Sequence, residues 1–208
     1  MAKALAARVG YTYVDTGAMY RTVTLLALRR GWIVDGEVRQ DPLEKALENV
    51  TVGFDASGAA CLDGEAVEGE IRGMRVSSLV SQVSALPFVR RRLVCWQRSM
   101  GAAGGVVMDG RDIGTVVFPD AELKVFVTAA PEVRARRRYD ELKAAGREVS
   151  YEEVLDNVRR RDDMDEHRAD SPLRRADDAL LLDNGAMTPD EQNEWMYQAY
   201  LRACRGLR

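Results

Sequence analysis

One histidine, His167, and three cysteines are all the imidazole and thiol that 208 residues offer. Cys61, Cys95 and Cys204 are widely separated and match neither a zinc spacing nor a CxxC pair, so a reduced, cytoplasmic setting is expected. A lone histidine leaves almost no material for a His-based metal site or a Ser–His triad. No run reaches the ~20 apolar residues of a membrane span, and Arg8 interrupts the only candidate signal segment. An excess of one charge sign is missing as well. With 30 basic and 33 acidic residues the net charge is -3, which argues against general binding to nucleic acid or to an anionic membrane. Lysine is scarce: Lys3, Lys45, Lys124 and Lys143 stand against twenty-six arginines. That bias suits phosphate handling, and genomic base composition produces it equally well.

What is present is a chain 46% hydrophobic and 30% charged, long enough to bury one sizeable core. MAKALAARVG reads as a short helix with Ala4, Leu5, Ala7 and Val9 apolar and Gly10 as its stop, and YTYV follows as a strand. That helix has no capping residue ahead of it. A second helix takes its apolar face from Met19, Val23, Leu26 and Ala27 and ends at Gly31. DPLEKALENV predicts a third, with Asp41 as N-cap, Pro42 at the first position and Glu44 completing a capping box.

Between residues 50 and 72 short β-prone runs alternate with turn signals, which predicts a small antiparallel insertion. Helices resume through Val76, Leu79, Val80 and Val83, then through Val89, Leu93, Trp96 and Met100, leaving Arg90, Arg91 and Arg92 on other faces. VVMD, ELKVFVTA and ALLLD are apolar runs of strand length, as expected of parallel strands buried on both faces. Two Arg-rich helices lie between the last two, the second opened by a Ser150/Glu153 capping box, and Thr188, Pro189 and Glu191 announce a last helix. The expected class is α/β, a single domain with one insertion.

Four segments carry chemistry. In VVMDGRDIGTVVFPDA a strand ends at Asp109 and is followed by Arg111 and Asp112, at the carboxyl end of a strand where open α/β sheets bind ligands. DTGAMYR sets Thr16, a helix start and Arg21 together as a grip for phosphate. EGEIR, with Glu70 and Arg72, follows the insertion, and RRDDMDEHR puts Arg161, Asp165 and Arg168 on one helix face. Taken singly, each also fits a structural turn, a capped helix or a solvated charged surface.

Together, in this order and spacing, they resemble bacterial cytidylate kinase, a nucleoside monophosphate kinase of the P-loop class, from residue 1 to about residue 200. The resemblance implies a P-loop NTPase-like three-layer fold with a parallel sheet, an acceptor-binding insertion at approximately 43–85 and a helical lid at approximately 131–170. It implies phosphoryl transfer from ATP, with Mg²⁺, to CMP or dCMP, by a cytoplasmic monomer whose partners are small molecules.

Carried over residue by residue, Ser81, Arg90 and Asp112 would read the cytosine, Asp112 accepting from its amine. Thr16, Arg21, Arg111 and Arg168 would surround the monophosphate, and Asp165 and Arg161 the ribose. Arg134, Arg137 and Arg138 would belong to the lid over ATP. Arg111, Arg161 and Arg168 would stabilise the transferring group, and Asp109 would stand in the outer shell of the metal.

The family's glycine-rich loop, G-x-x-x-x-G-K-[ST], occurs nowhere in the sequence, and Lys3 lies too far into its helix to replace the loop lysine. The first, central strand of the family's sheet is likewise absent from the pattern. The expectation is therefore a coding start upstream of Met1, for example at a GTG codon where the family often has valine, and little activity for the chain as given. The rival expectation is a genuine truncation that binds nucleotide, or serves as an interaction module, without catalysing transfer.

Overall fold

The computed structural model describes residues 1–206. Its first helix, α1 (Ala2–Val9), has no side-chain cap and ends at Gly10, whose φ of 72° is the left-handed conformation that glycine adopts without strain. The face it buries is Leu5 and Ala6, with Ala2 and Val9 partly covered, whereas Ala4 and Ala7 are exposed. This shifts the expected apolar stripe, because alanine carries too little surface to decide which side turns inward.

β1 (Thr12–Asp15) leads directly into α2 (Thr16–Arg29). Asp15 caps α2 by accepting from the Ala18 N–H at 2.8 Å. At its far end the Trp32 N–H reaches Ala27 O and the Gly31 N–H reaches Leu28 O, a Schellman closure around Gly31. α2 is the central core element: Ala18, Met19, Val23 and Ala27 are fully buried. A hairpin of β2 (Ile33–Val34) and β3 (Glu37–Val38) turns at Asp35–Gly36, both at positive φ, an Asp-Gly turn signal present in the sequence.

α3 (Gln40–Leu47) begins earlier than expected. Its N-cap is Arg39, with no side-chain cap bond, so Asp41 and Pro42 lie inside the first turn and the proposed Asp41 box does not form. Asp41 there still favours the helix through the exposed N–H groups.

The insertion is antiparallel as expected: β4 (Val52–Phe54) pairs with β5 (Ala60–Leu62), and β5 with β6 (Glu65–Ala66). Three short helices, α4 (Glu68–Ile71), α5 (Met74–Ser77) and α6 (Val80–Ser84), return the chain to α7 (Pro87–Gly101). Ile71, Val76, Val83, Val89 and Leu93 close over α2 to form the main core. Burying each such side chain contributes on the order of 2 kcal/mol.

The remaining elements are β7 (Val106–Asp109), β8 (Val125–Thr128), α8 (Pro131–Ala144), α9 (Tyr151–His167), β9 (Leu180–Asp183) and α10 (Pro189–Cys204). β1 pairs in parallel with β7, and β8 in parallel with β9. The parallel strands therefore form two separate pairs among the described residues, not one continuous sheet. They are also less buried than their apolar sequence suggests, with Val127 41% and Leu181 53% exposed. α8 and α9 pack as a hairpin on Ala135, Leu142 and Val154; the expected Ser150/Glu153 capping box is present, and α10, announced by Thr188, Pro189 and Glu191, opens on a second box, Thr188/Glu191.

Candidate active site

The site is built at the carboxyl ends of β1 and β7, whose register sets Asp15 opposite Asp109. Thr16 Oγ1 donates to the Asp109 carbonyl at 2.6 Å, clasping the two strand ends together. Thr16 is only 2% exposed, so its hydroxyl proton is committed to the backbone and is not held out toward a phosphate. Gly110 follows because a Cβ there would run into Thr16 Oγ1 and the Ile113 side chain.

Beyond it, residues Ile113–Val117 form a single π-turn. The Asp112 carbonyl accepts from the Thr115, Val116 and Val117 N–H groups at 3.3, 2.9 and 3.3 Å. Such widened turns recur at functional sites, and here the turn fixes the Asp112 backbone.

Asp112 is 4% exposed and Arg90 is 2% exposed, and the two form a hydrogen-bonded ion pair, Arg90 Nη2 to Asp112 Oδ2. The expectation that Arg90 sits on a free face of α7 is thus corrected: it occupies the same buried face as Val89 and Leu93. Arg90 Nη1 also donates to the Ser84 carbonyl at 3.2 Å, and its guanidinium lies 5.5 Å from the Tyr20 ring centroid. Burial raises the Asp112 carboxyl above its ordinary pKa, while Arg90 and Arg168 oppose the shift.

Asp165, 4% exposed, links this pair to the rest of the site. It accepts from Arg111 Nε at 3.0 Å and from Ser81 Oγ at 3.4 Å, and Arg168 Nη1 stands 3.7 Å away. RRDDMDEHR is therefore not a solvated face. Arg168 caps α9 and turns inward, so that burial and the neighbouring Arg90 depress its pKa. This position sets it beside the Arg90–Asp112 end of the site.

At the opposite end Arg21, Arg72, Arg111, Arg138 and Arg161 converge closely enough to perturb one another. Burial, then repulsion from Arg161 and Arg72, pushes Arg21 down to about 10. Burial and Arg111 likewise lower Arg161. The buried Nε atoms of Arg21 and Arg161 have no hydrogen-bond partner among the described residues, nor do Arg90 Nε and Arg168 Nη2. Guanidinium groups buried without partners are costly unless a ligand satisfies them, and planar forks match phosphate oxygens.

Arrangements of this kind have relatives. The family model described as cytidylate kinase matches residues 1–201. The chain belongs to the cytidylate kinase family. It is 54% identical over 208 residues to the cytidylate kinase of Parabacteroides distasonis, covering 98% of this chain and 91% of that protein. To the cytidylate kinase of Bacteroides thetaiotaomicron it is 52% identical over 205 residues, 96% of this chain and 90% of the relative. To that of Chlorobaculum tepidum it is 51% identical over 201 residues, with 94% and 84% covered.

The three arginines expected in a lid are all engaged by the protein itself. Arg134 forms a two-pronged bond to Asp162 at 2.8 and 2.7 Å, tying α8 to α9. Arg137 donates to Asn184 and to the Gly185 carbonyl, bracing the loop after β9. Arg138 donates to the Arg72 carbonyl at 2.7 Å and to Glu141 at 3.2 Å. Asp109, the expected outer-shell residue, accepts from Tyr13 Oη at 2.9 Å, and burial and Asp15 raise its pKa.

No group of three or more His, Cys, Asp or Glu side chains suited to a metal occurs among the described residues. The chemistry fits a metal that is carried by phosphate oxygens, with Asp109 and Asp15 at most in its outer shell. Tyr13, Tyr20 and Asp15 were missed by the sequence reading. Only Tyr20 and Asp15 had a signal, since both lie within DTGAMYR. An open cleft of about 560 Å³ lined by Leu25, Leu28, Val67, Arg75 and Arg147 holds none of the expected site residues.

Proposed function

We propose that the chain binds CMP or dCMP as phosphoryl acceptor and that the activity it serves is transfer of the γ-phosphoryl group of MgATP to that nucleotide, giving CDP or dCDP. The observation that carries the reading is a pair of partly buried arginines, Arg21 and Arg161, whose buried Nε atoms have no hydrogen-bond partner among the described residues. Their two charges match the dianion of a phosphate monoester.

The cytosine would lie at the Asp112 end, its exocyclic amine donating to the carboxylate, with Ser81 and Arg90 donating to its acceptor edge. Uracil would present a carbonyl to the same buried carboxylate. The ribose hydroxyls would donate to Asp165, which Arg111 holds in place, while Ser81 would exchange its 3.4 Å bond to Asp165 for one to the base. Arg21, Arg111 and Arg161 would neutralise the phosphate, whereas Arg168, expected there from the sequence, stands beside Arg90 and Asp112 at the cytosine end.

In the reaction an acceptor phosphate oxygen forms a bond to the γ-phosphorus as the bond to the ADP oxygen breaks. Catalysis then consists of alignment and stabilisation of charge on the transferring oxygens, tasks suited to Arg111 and Arg161. Mg²⁺ arrives with ATP as part of the substrate and screens its phosphates. Arg134, Arg137 and Arg138 reach a donor only after giving up bonds to Asp162, Asn184 and Arg72.

The 208 residues contain no G-x-x-x-x-G-K-[ST] loop for donor phosphates. Residues 1–208 alone are therefore expected to bind CMP while transferring phosphate slowly. Calorimetry with CMP, UMP and cytidine tests the reading. CMP is expected to bind about 100-fold more tightly than UMP, the ~2.7 kcal/mol set by a carbonyl facing a buried carboxylate. Equal affinity for the two refutes the role of Asp112, and absence of CMP binding refutes the site. Fast ATP-dependent turnover by residues 1–208 refutes the view of the donor side.

A further inference from the structure

One arginine beside the phosphate end has no role in the proposed mechanism. Arg72 follows α4 and ends the EGEIR segment. Its Nη2 donates to Asp15 Oδ2 at 2.6 Å and its Nε to Glu68 Oε1 at 2.7 Å. Its carbonyl is fixed by Arg138 Nη2 at 2.7 Å. Side chain and backbone are thus held from the β1 tip, from the insertion and from α8.

Both tethers lie on the Nε and Nη2 side of the fork, which leaves Nη1 to donate elsewhere. Arg72 is near enough to Arg21 to depress its pKa, ranking next after Arg161 among the charged neighbours that do so. It also acts on Asp109 at the end of β7. A guanidinium already immobilised by two carboxylates loses little further side-chain entropy when a ligand meets its free edge. Arg29 at the far end of α2 also bridges two carboxylates, Glu65 and Glu70, so what sets Arg72 apart is its bond to Asp15 at the β1 tip and its nearness to Arg21.

We propose that Arg72 is a further ligand of the acceptor nucleotide's phosphate, donating through Nη1 while Asp15 and Glu68 hold the fork in place. The inference rests on the phosphate end assigned above. If it holds, the insertion contributes a charge directly to the phosphate and not only a wall to the pocket.

The test is calorimetry of CMP and of cytidine, which lacks the phosphate, on the full 208-residue chain and its Arg72→Gln and Arg72→Lys variants. Arg72→Gln is expected to weaken CMP about 10- to 50-fold with cytidine unchanged, and Arg72→Lys to recover part of the loss. A CMP-to-cytidine ratio equal to wild type in Arg72→Gln overturns the proposal, as does equal weakening of both ligands. Wild-type protein that binds CMP no better than cytidine instead refutes the phosphate end itself. If Arg72→Gln does not fold, a crystal structure of wild type with CMP decides. Nη1 within hydrogen-bond distance of a phosphate oxygen supports the assignment, and Nη1 turned away refutes it.

Discussion

Replacing Arg90 by methionine should be among the most damaging single changes to this protein, because of what it leaves behind. Asp112 is 4% exposed and its partner Arg90 2%, so neither can turn to water when the other is removed. Breaking a buried pair from one side costs about 3–5 kcal/mol, mostly as the penalty of the stranded charge. For a domain of this size each kcal/mol lowers the midpoint by about 2–4 °C, so a fall of roughly 6–20 °C is expected.

The loss should depend on pH in a definite direction. Asp112 already has a raised folded pKa through burial, and Arg90 is the strongest influence opposing that rise. Without Arg90 the folded pKa climbs further, so the folded variant keeps a proton that the unfolded chain has released. Stability then falls as pH rises from the unfolded carboxylate value through the folded one. The deficit against wild type is small below the ordinary carboxylate pKa of about 4 and grows as pH rises above it. Arg168 stays beside Asp112 and limits the effect. The double variant Arg90→Met/Asp112→Leu should regain most of the stability while losing discrimination of CMP from UMP. Thermal melts across pH measure all of this. A loss under about 1 kcal/mol, or one that does not change with pH, refutes the claim that the pair is buried and charged.

Two other outcomes follow from the same site. Gly110→Ala should cost about 1–3 kcal/mol in chemical denaturation and weaken CMP binding, because the new methyl group must displace Thr16 Oγ1 or Ile113. Wild-type stability would show that the clasp yields freely. CMP affinity should decline above pH 10 as Arg21, held near 10 by burial and its arginine neighbours, loses its proton. Protein stability should instead rise over that range, since the folded state binds fewer protons there than the unfolded one, and affinity flat to pH 11 would remove Arg21 from the phosphate end.

How much of this was legible in the sequence depended on distance along the chain. The Ser150/Glu153 and Thr188/Glu191 boxes were readable because donor and acceptor lie three residues apart and need no tertiary information. The strands at VVMD and ALLLD and the antiparallel insertion were also readable, from composition and turn residues. The burial of Arg90 was not legible in the helix pattern, because three consecutive arginines look alike until Asp112, 22 residues away, selects one of them, and only the family resemblance had paired the two. Nor was the engagement of Arg134, Arg137 and Arg138, since their partners Asp162, Asn184 and Arg72 lie 28 to 66 residues distant. The expected Asp41 cap failed for a local reason: α3 begins one residue before it.

The four parallel strands bear on how the protein behaves in concentrated solution. β1 with β7 and β8 with β9 are ribbons of two, and each strand keeps one flank of N–H and C=O groups outside any described ladder. Val127 and Leu181 sit exposed beside those flanks, and a net charge of -3 supplies little repulsion between molecules. Such margins are templates: an extended peptide with alternating apolar residues would be captured there by main-chain bonds, and two molecules could zip together in the same way. Self-association that grows with concentration and is relieved by a short strand-forming peptide is the outcome such open flanks predict, independently of any nucleotide, and sedimentation at rising concentration measures it.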